Sequence, residues 1–235
     1  MRGELRRGEP LSAHTTFRIG GPCDAFAVPA GAADLATALS FLRSRDIKTV
    51  VIGQGSNVLF GDGGYRGCVV HIGHEMSKIT FDGDVLEVEA GALLGKVVVE
   101  AAARGLGGLE SLAEIPRSTG GALYMNAGAF GQWIYGPLES VDIIDEKGTR
   151  RRLDKSEIEL RYRWSMFQAR PEWTIVSARF RFERAAAAAL KARVDEINKR
   201  RRATQPLGCP SAGSFFKNPE GCLLYTSDAA DVYSV

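Results

Sequence analysis

Apolar positions recur at helical spacing in two stretches of the first half of the chain. From Ala32 to Arg45 the leucines at 35, 39 and 42 share one face, and Lys48-Thr49-Val50-Val51-Ile52 then reads as a buried strand. Leu93 to Arg104 repeats the pattern with Leu94, Val97, Val98 and Ala101 inward, and Gly105 stands where a left-handed cap would end a helix. Between the two, Gly67 to Ile72 and Val85 to Ala90 predict strands, the second alternating apolar with acidic positions. Further strands are expected at Ser140 to Asp145 and Trp173 to Glu183. An alanine-rich helix from Ala185 carries Leu190, Val194 and Ile197 on one face and ends in Lys199-Arg200-Arg201-Arg202, charges that suit a helix C-terminus. Glycine-rich turns between short β-branched runs predict an α+β domain over residues 1–183, with a boundary near Glu183 and no internal repeat.

Composition narrows the class. The chain has 235 residues of which 45% are hydrophobic, enough for a substantial core. With 30 basic against 28 acidic side chains there is no long-range field to gather nucleic acid or an anionic membrane surface. The charged start, Met1 to Pro10, lacks the apolar core of a signal peptide, and no stretch reaches the length of a membrane-spanning helix, so a cytoplasmic protein is expected. Cys23, Cys68, Cys209 and Cys222 form no CxxC pair, which favours reduced thiols. His71 and His74 have no acidic or cysteine partner at metal-ligand spacing, so no metal is expected there.

Two glycine-rich segments carry the candidate chemistry. In Val51-Ile52-Gly53-Gln54-Gly55-Ser56-Asn57-Val58-Leu59 a strand runs into a turn that can wrap a phosphate. Glycines let backbone N–H groups approach closely, and Ser56 and Asn57 add side-chain hydrogen bonds. An ordinary strand-ending turn is the alternative, since the segment is neither a Walker A motif nor a GxGxxG fingerprint. The second segment runs from Ile115 to Gly131 with small residues at almost every second position. Such a run permits close contact with a flat ligand such as an isoalloxazine, or tight packing between segments. Together the two favour a bound dinucleotide.

Five ordered segments are similar to the UDP-N-acetylenolpyruvoylglucosamine reductases. They are His14-Thr15-Thr16-Phe17-Arg18-Ile19-Gly20-Gly21, Gly53 to Asn57, Ile115 to Gly131, Tyr162-Arg163-Trp164-Ser165-Met166-Phe167, and Ala212-Gly213-Ser214-Phe215-Phe216-Lys217-Asn218-Pro219. The resemblance implies an FAD-binding fold of the vanillyl-alcohol-oxidase (PCMH) type. The start of an α+β substrate-binding domain would follow at residues 184–221. It further implies that NADPH reduces FAD and that the enolpyruvyl sugar nucleotide then takes a hydride in the same cleft, within peptidoglycan precursor synthesis. FAD contacts are expected from Gly53, Gln54, Gly55, Ser56, Asn57, Ile115, Pro116, Ser118, Thr119, Gly120, Gly121, Asn126, Gly128 and Ala129. Arg163 would grip the substrate carboxylate in two places, and Ser214 would hand a proton to the developing carbanion. Tyr162, Lys217 and Asn218 would contact substrate. Only small-molecule partners and a monomer are expected. An oxidase of the same flavin fold and an inactive FAD-binding fragment are the alternatives.

Two departures stand out. Glu114 and Arg117 occupy positions where the family commonly has glycine, and a left-handed backbone at either would cost about 1 kcal/mol. After Gly221 the family continues, supplying a glutamate that assists protonation, whereas Cys222 to Val235 contains none and matches nothing in it. A truncated gene ending in foreign sequence, with poor turnover, is therefore expected.

Overall fold

In the computed structural model, residues 1–204, 209–211 and 213 are described. The chain builds two main sheets. The first contains β1 (Glu4–Pro10), β2 (Pro22–Val28), β3 (Thr49–Ile52) and β4 (Tyr65–His71) in the spatial order β1-β2-β4-β3. β1 is antiparallel to β2, while β2 and β3 both run parallel to β4. The second is antiparallel throughout and contains β5 (Ile79–Asp82), β6 (Val85–Glu89), β7 (Leu138–Ile144), β8 (Arg150–Asp154) and β9 (Thr174–Arg181) in the order β8-β7-β9-β6-β5.

Strand periodicity sorts the first sheet's side chains between two cores. Cys68 and Val70 of β4 face the larger one, shared with α1 (Ala32–Ser44) and the second sheet; Val69 faces the smaller one with Leu11, Phe26 and Phe60. Leu35, Leu39 and Leu42 of α1 are buried as their spacing predicts. So are Leu94, Val97, Val98 and Ala101 of α2 (Leu94–Ala103), which ends at Gly105 with φ 73°. Each fully buried leucine or phenylalanine here contributes on the order of 2–3 kcal/mol through removal of apolar surface from water. After the short α3 (Thr119–Tyr124), α4 (Ala187–Thr204) packs on α2 and buries Leu190, Val194 and Ile197.

Three elements differ from what the sequence predicts. β1 is largely exposed and highly charged, held by its ladder to β2 and by Arg6 paired with Glu4 and Glu9. β8 offers only Leu153 to the core, and Arg150 and Arg152 instead converge on the buried Asp142 of β7 at 2.6 and 2.8 Å. α3 forms despite containing Gly120 and Gly121, because Ser118 caps it by accepting from Gly121 N–H at 3.2 Å. Neither Glu114 nor Arg117 adopts a positive φ, so the strain that would follow from replacing glycine there is not incurred.

Candidate cofactor site

β3 delivers the chain into Gly53–Asn57 directly beside the start of α3. The second glycine-rich segment is pinned to the end of β6 by Thr119 N–H and Gly120 N–H, which donate to the carbonyls of Ala92 and Ala90 at 2.8 Å each. The two segments then meet so closely that a Cβ on Gly53 would lie 2.1 Å from Ser118 Oγ. Between them and the face formed by α1 and the start of β9 lies a cavity of about 610 Å³, within the range of small-molecule and cofactor sites. Residues 53–58, Arg117, Ser118, Gly120, Gly121, Tyr124 and Met125 line one side, with Leu39, Arg43 and Trp173 opposite.

Expected cofactor residues divide into two groups. Gly53, Gln54, Gly55, Ser56, Asn57, Ser118, Gly120 and Gly121 come together on the cavity wall. Ile115, Pro116, Thr119, Asn126, Gly128 and Ala129 lie off it. Ile115 is in the core, Pro116 is exposed, and the Thr119 hydroxyl donates to the Ala92 carbonyl. Gly128 and Ala129 pair with Trp133 and Gln132. A Cβ on Gly128 would stand 2.2 Å from the Trp133 ring, so packing alone accounts for that glycine. Gly55 has φ +60°, and a Cβ there would meet the His14 carbonyl at 2.0 Å. Asn126, also left-handed, donates from Nδ2 to the Arg161 carbonyl at 2.9 Å, while its Oδ1 is buried without a partner.

Tyr162 and Arg163 follow on a short hairpin. Arg163 has a left-handed backbone (φ 54°), unusual for a side chain of this size. Its guanidinium lies 5.7 Å from the Trp133 ring centre and 5.5 Å from that of Tyr162. Ser214, Lys217 and Asn218 lie outside the described residues. The chain just before them is placed: Thr16 Oγ1 donates to the Ser211 carbonyl at 2.6 Å, and a Cβ on Gly213 would be 3.9 Å from the Ser56 carbonyl oxygen.

Sequence reasoning did not single out Arg43 or Trp173. Arg43 is one helical turn beyond Leu39, which is the signal that could have found it. It donates to the carbonyls of Asp145, at 2.7 Å, and Glu172, tying α1 to the strand ends that frame the cavity. The local field is positive. Burial lowers the Arg117 pKa, and the charges of Arg163 and Arg201 lower it further. Burial does the same to Arg201, with Glu114 acting in the opposite direction.

A cavity of this size, lined by both glycine-rich segments and by the guanidinium groups of Arg43 and Arg117, fits an elongated phosphate-bearing cofactor. Residues 23–154 match a family described as "FAD binding domain". The UDP-N-acetylenolpyruvoylglucosamine reductase of Heliobacterium modesticaldum is 40% identical over 223 residues, covering 95% of this chain and 71% of that protein. Its counterpart in Caldanaerobacter subterraneus is 37% identical over 219 residues, covering 93% and 72%. This chain belongs to the UDP-N-acetylenolpyruvoylglucosamine reductase family. A crystal structure of the reductase from Thermus caldophilus superposes with a TM-score of 0.79 at 31% identity, covering 95% of this chain and 77% of that one. The 6-hydroxy-D-nicotine oxidase of Arthrobacter nicotinovorans shares the fold alone, with a TM-score of 0.58 at 17% identity over 78% of this chain and 43% of its own. The architecture of the reductase family is thus the FAD-binding fold of the vanillyl-alcohol-oxidase type, as the five sequence segments implied.

Proposed function

We propose that this chain reduces UDP-N-acetylenolpyruvoylglucosamine to UDP-N-acetylmuramate with electrons from NADPH, using FAD held in the cavity between Gly53–Asn57 and Ser118–Gly121. The observation that carries this is the coincidence of that cavity with family membership over nearly the whole chain. Gly53 to Asn57 would hold the cofactor's phosphates through backbone N–H groups. FAD supplies a two-electron hydride relay that the side chains themselves cannot provide.

The remaining work falls to this chain's own residues. Arg163 would bind the substrate carboxylate by two parallel N–H···O bonds and oppose the negative charge that grows beside it. The rings of Trp133 and Tyr162 limit where that guanidinium can go, which preorganises it. Ser214 would give its Oγ proton to the carbon next to the carboxylate, with Lys217 and Asn218 contacting substrate and orienting the serine. We infer that residues 1–183 form the FAD-binding domain and that 184–221 begin the substrate-binding one. We infer a cytoplasmic monomer acting on small molecules; the near balance of charge offers no long-range field to gather nucleic acid.

The test is the visible spectrum of the purified chain, followed through anaerobic addition of NADPH and then of the enolpyruvyl sugar nucleotide. A yellow protein bleached by NADPH and recoloured by the sugar nucleotide is the expected result. Recolouring by oxygen but not by the sugar nucleotide would mean an oxidase. A colourless protein whose melting temperature is unmoved by excess FAD would end the flavoenzyme proposal.

A further inference from the structure

Arg117 is a half-buried guanidinium on the cavity wall whose surroundings do not neutralise it. Its Nη2 donates to Asn57 Oδ1 at 3.3 Å, a long bond to a neutral acceptor at the end of the first glycine-rich turn. Among the described residues no carboxylate lies within ion-pair distance of it. The nearby Glu114 is engaged by Arg202 at 3.4 Å instead. The charges that act on Arg117 are like charges, those of Arg163 and Arg201. Holding a cation partly out of water beside two others is costly unless an anion completes the group. Asn57 cannot be that anion. It can, however, steer the side chain, because the 3.3 Å bond points the guanidinium toward the turn that residues 53–57 make around the cavity.

We infer that Arg117 is a cofactor-positioning residue that reaches across from the second glycine-rich segment to clamp the diphosphate of the bound dinucleotide against Gly53–Asn57. The inference rests on the FAD proposal above and deepens it. Backbone N–H groups of a glycine turn offer a diphosphate directional but uncharged donors. Arg117 adds a permanent charge and a planar fork that can take two oxygens at once. The bond to Asn57 already holds it across the two segments, so it is in place before the anion arrives. Arg163 stays free for the substrate carboxylate.

The test compares the FAD-stripped full chain with its Arg117→Ala and Arg117→Gln variants, titrated with FAD and, separately, with riboflavin, which keeps the ring system but has no phosphate. Tryptophan and flavin fluorescence report both titrations. FAD affinity should fall about ten- to a hundredfold in both variants, as for loss of a charge-assisted contact. Riboflavin affinity and the melting temperature of the stripped protein should stay at their wild-type values. The wild-type FAD affinity should also decline more steeply with salt than that of either variant. Unchanged FAD affinity in the variants would overturn the clamp while leaving the FAD proposal intact. The same holds if FAD affinity is unchanged and that for the sugar nucleotide falls, which would assign Arg117 to the substrate's diphosphate. Equal losses for FAD and riboflavin would overturn it too, showing that Arg117 shapes the cavity rather than holding phosphate. A wild-type chain that binds no FAD would take both proposals down together.

Discussion

Replacing Gly53 by alanine probes how the two glycine-rich segments are fitted together. The new Cβ would sit 2.1 Å from Ser118 Oγ and 3.0 Å from Ser118 Cβ, with nothing else within 4 Å. Ser118 can swing its hydroxyl away, but that hydroxyl is the cap of α3 and accepts from Gly121 N–H. Loss of a serine N-cap costs about 1 kcal/mol, and the residual crowding adds about 1–2 kcal/mol as for other overpacked contacts. Gly53→Ala should therefore destabilise the protein by about 2–3 kcal/mol, and Ser118→Ala alone by about 1 kcal/mol. In the double variant the offending oxygen is gone and the cap is lost only once. The combined cost should fall short of the sum by about 1 kcal/mol, a coupling large enough to measure between touching residues. Urea denaturation of the FAD-stripped protein gives all four free energies of the cycle, and FAD titration reports whether the segments have been forced apart. Strict additivity would refute the contact, and a Gly53→Ala protein as stable as wild type would refute the packing account of that glycine altogether.

Gly55→Ala meets backbone rather than a movable side chain, at the His14 carbonyl, and places alanine at φ +60°. It should cost more than about 2 kcal/mol by the same denaturation assay, whereas Gly61→Ala, with nothing near its Cβ, should be close to neutral. Burial pushes the Asp142 carboxyl pKa up, but hydrogen bonds from Arg152 and Arg150 outweigh it and the net shift is downward. Its contribution to stability is thus complete above the ordinary aspartate range and is lost as pH falls through the lowered native value. Asp142→Asn should cost about 1–3 kcal/mol at neutral pH and flatten the acid limb of a plot of melting temperature against pH. Arg163→Lys keeps the charge but not the fork, and should lower turnover of the sugar nucleotide about ten- to a hundredfold while leaving the rate of flavin bleaching by NADPH within about twofold.

What the chain discloses before folding follows from which forces dominate each element. α1, α2 and α4 are legible because their stability comes from an apolar stripe, and Leu35, Val97 and Val194 are buried where periodicity places them. β1 and β8 leave no such trace. Their side chains are mostly charged and solvated, and they are strands because β2 and β7 offer unpaired edges to them. Opposite-charge partners such as Arg150 and Asp142 lie 8 residues apart in sequence and become neighbours only through register. α3 is hidden for another reason: two glycines lower its intrinsic helicity, and its cap and its two bonds to β6's end supply what propensity does not.

The site was legible as a composition and not as a set of contacts. A run of small residues announces that something approaches the backbone closely, but Gly53, Gly120 and Gly128 are approached chiefly by Ser118, Ala90 and Trp133. Ligand and neighbour impose the same requirement, absence of a Cβ, so glycine alone does not tell them apart. The distinction lies in charge. Packing between segments has no use for a guanidinium without a carboxylate, and Arg117 and Arg163 sit where the two segments and the 162–163 hairpin converge. Arg163 takes its left-handed backbone as the second residue of the Tyr162–Arg163 turn, and Asn126 donates to the carbonyl of Arg161 at the start of that turn. Preformed positive charge beside a cavity lined by two glycine-rich segments is what recognition of an anionic cofactor and an anionic substrate demands. Those few arginines, more than the many glycines, are therefore where function can be read.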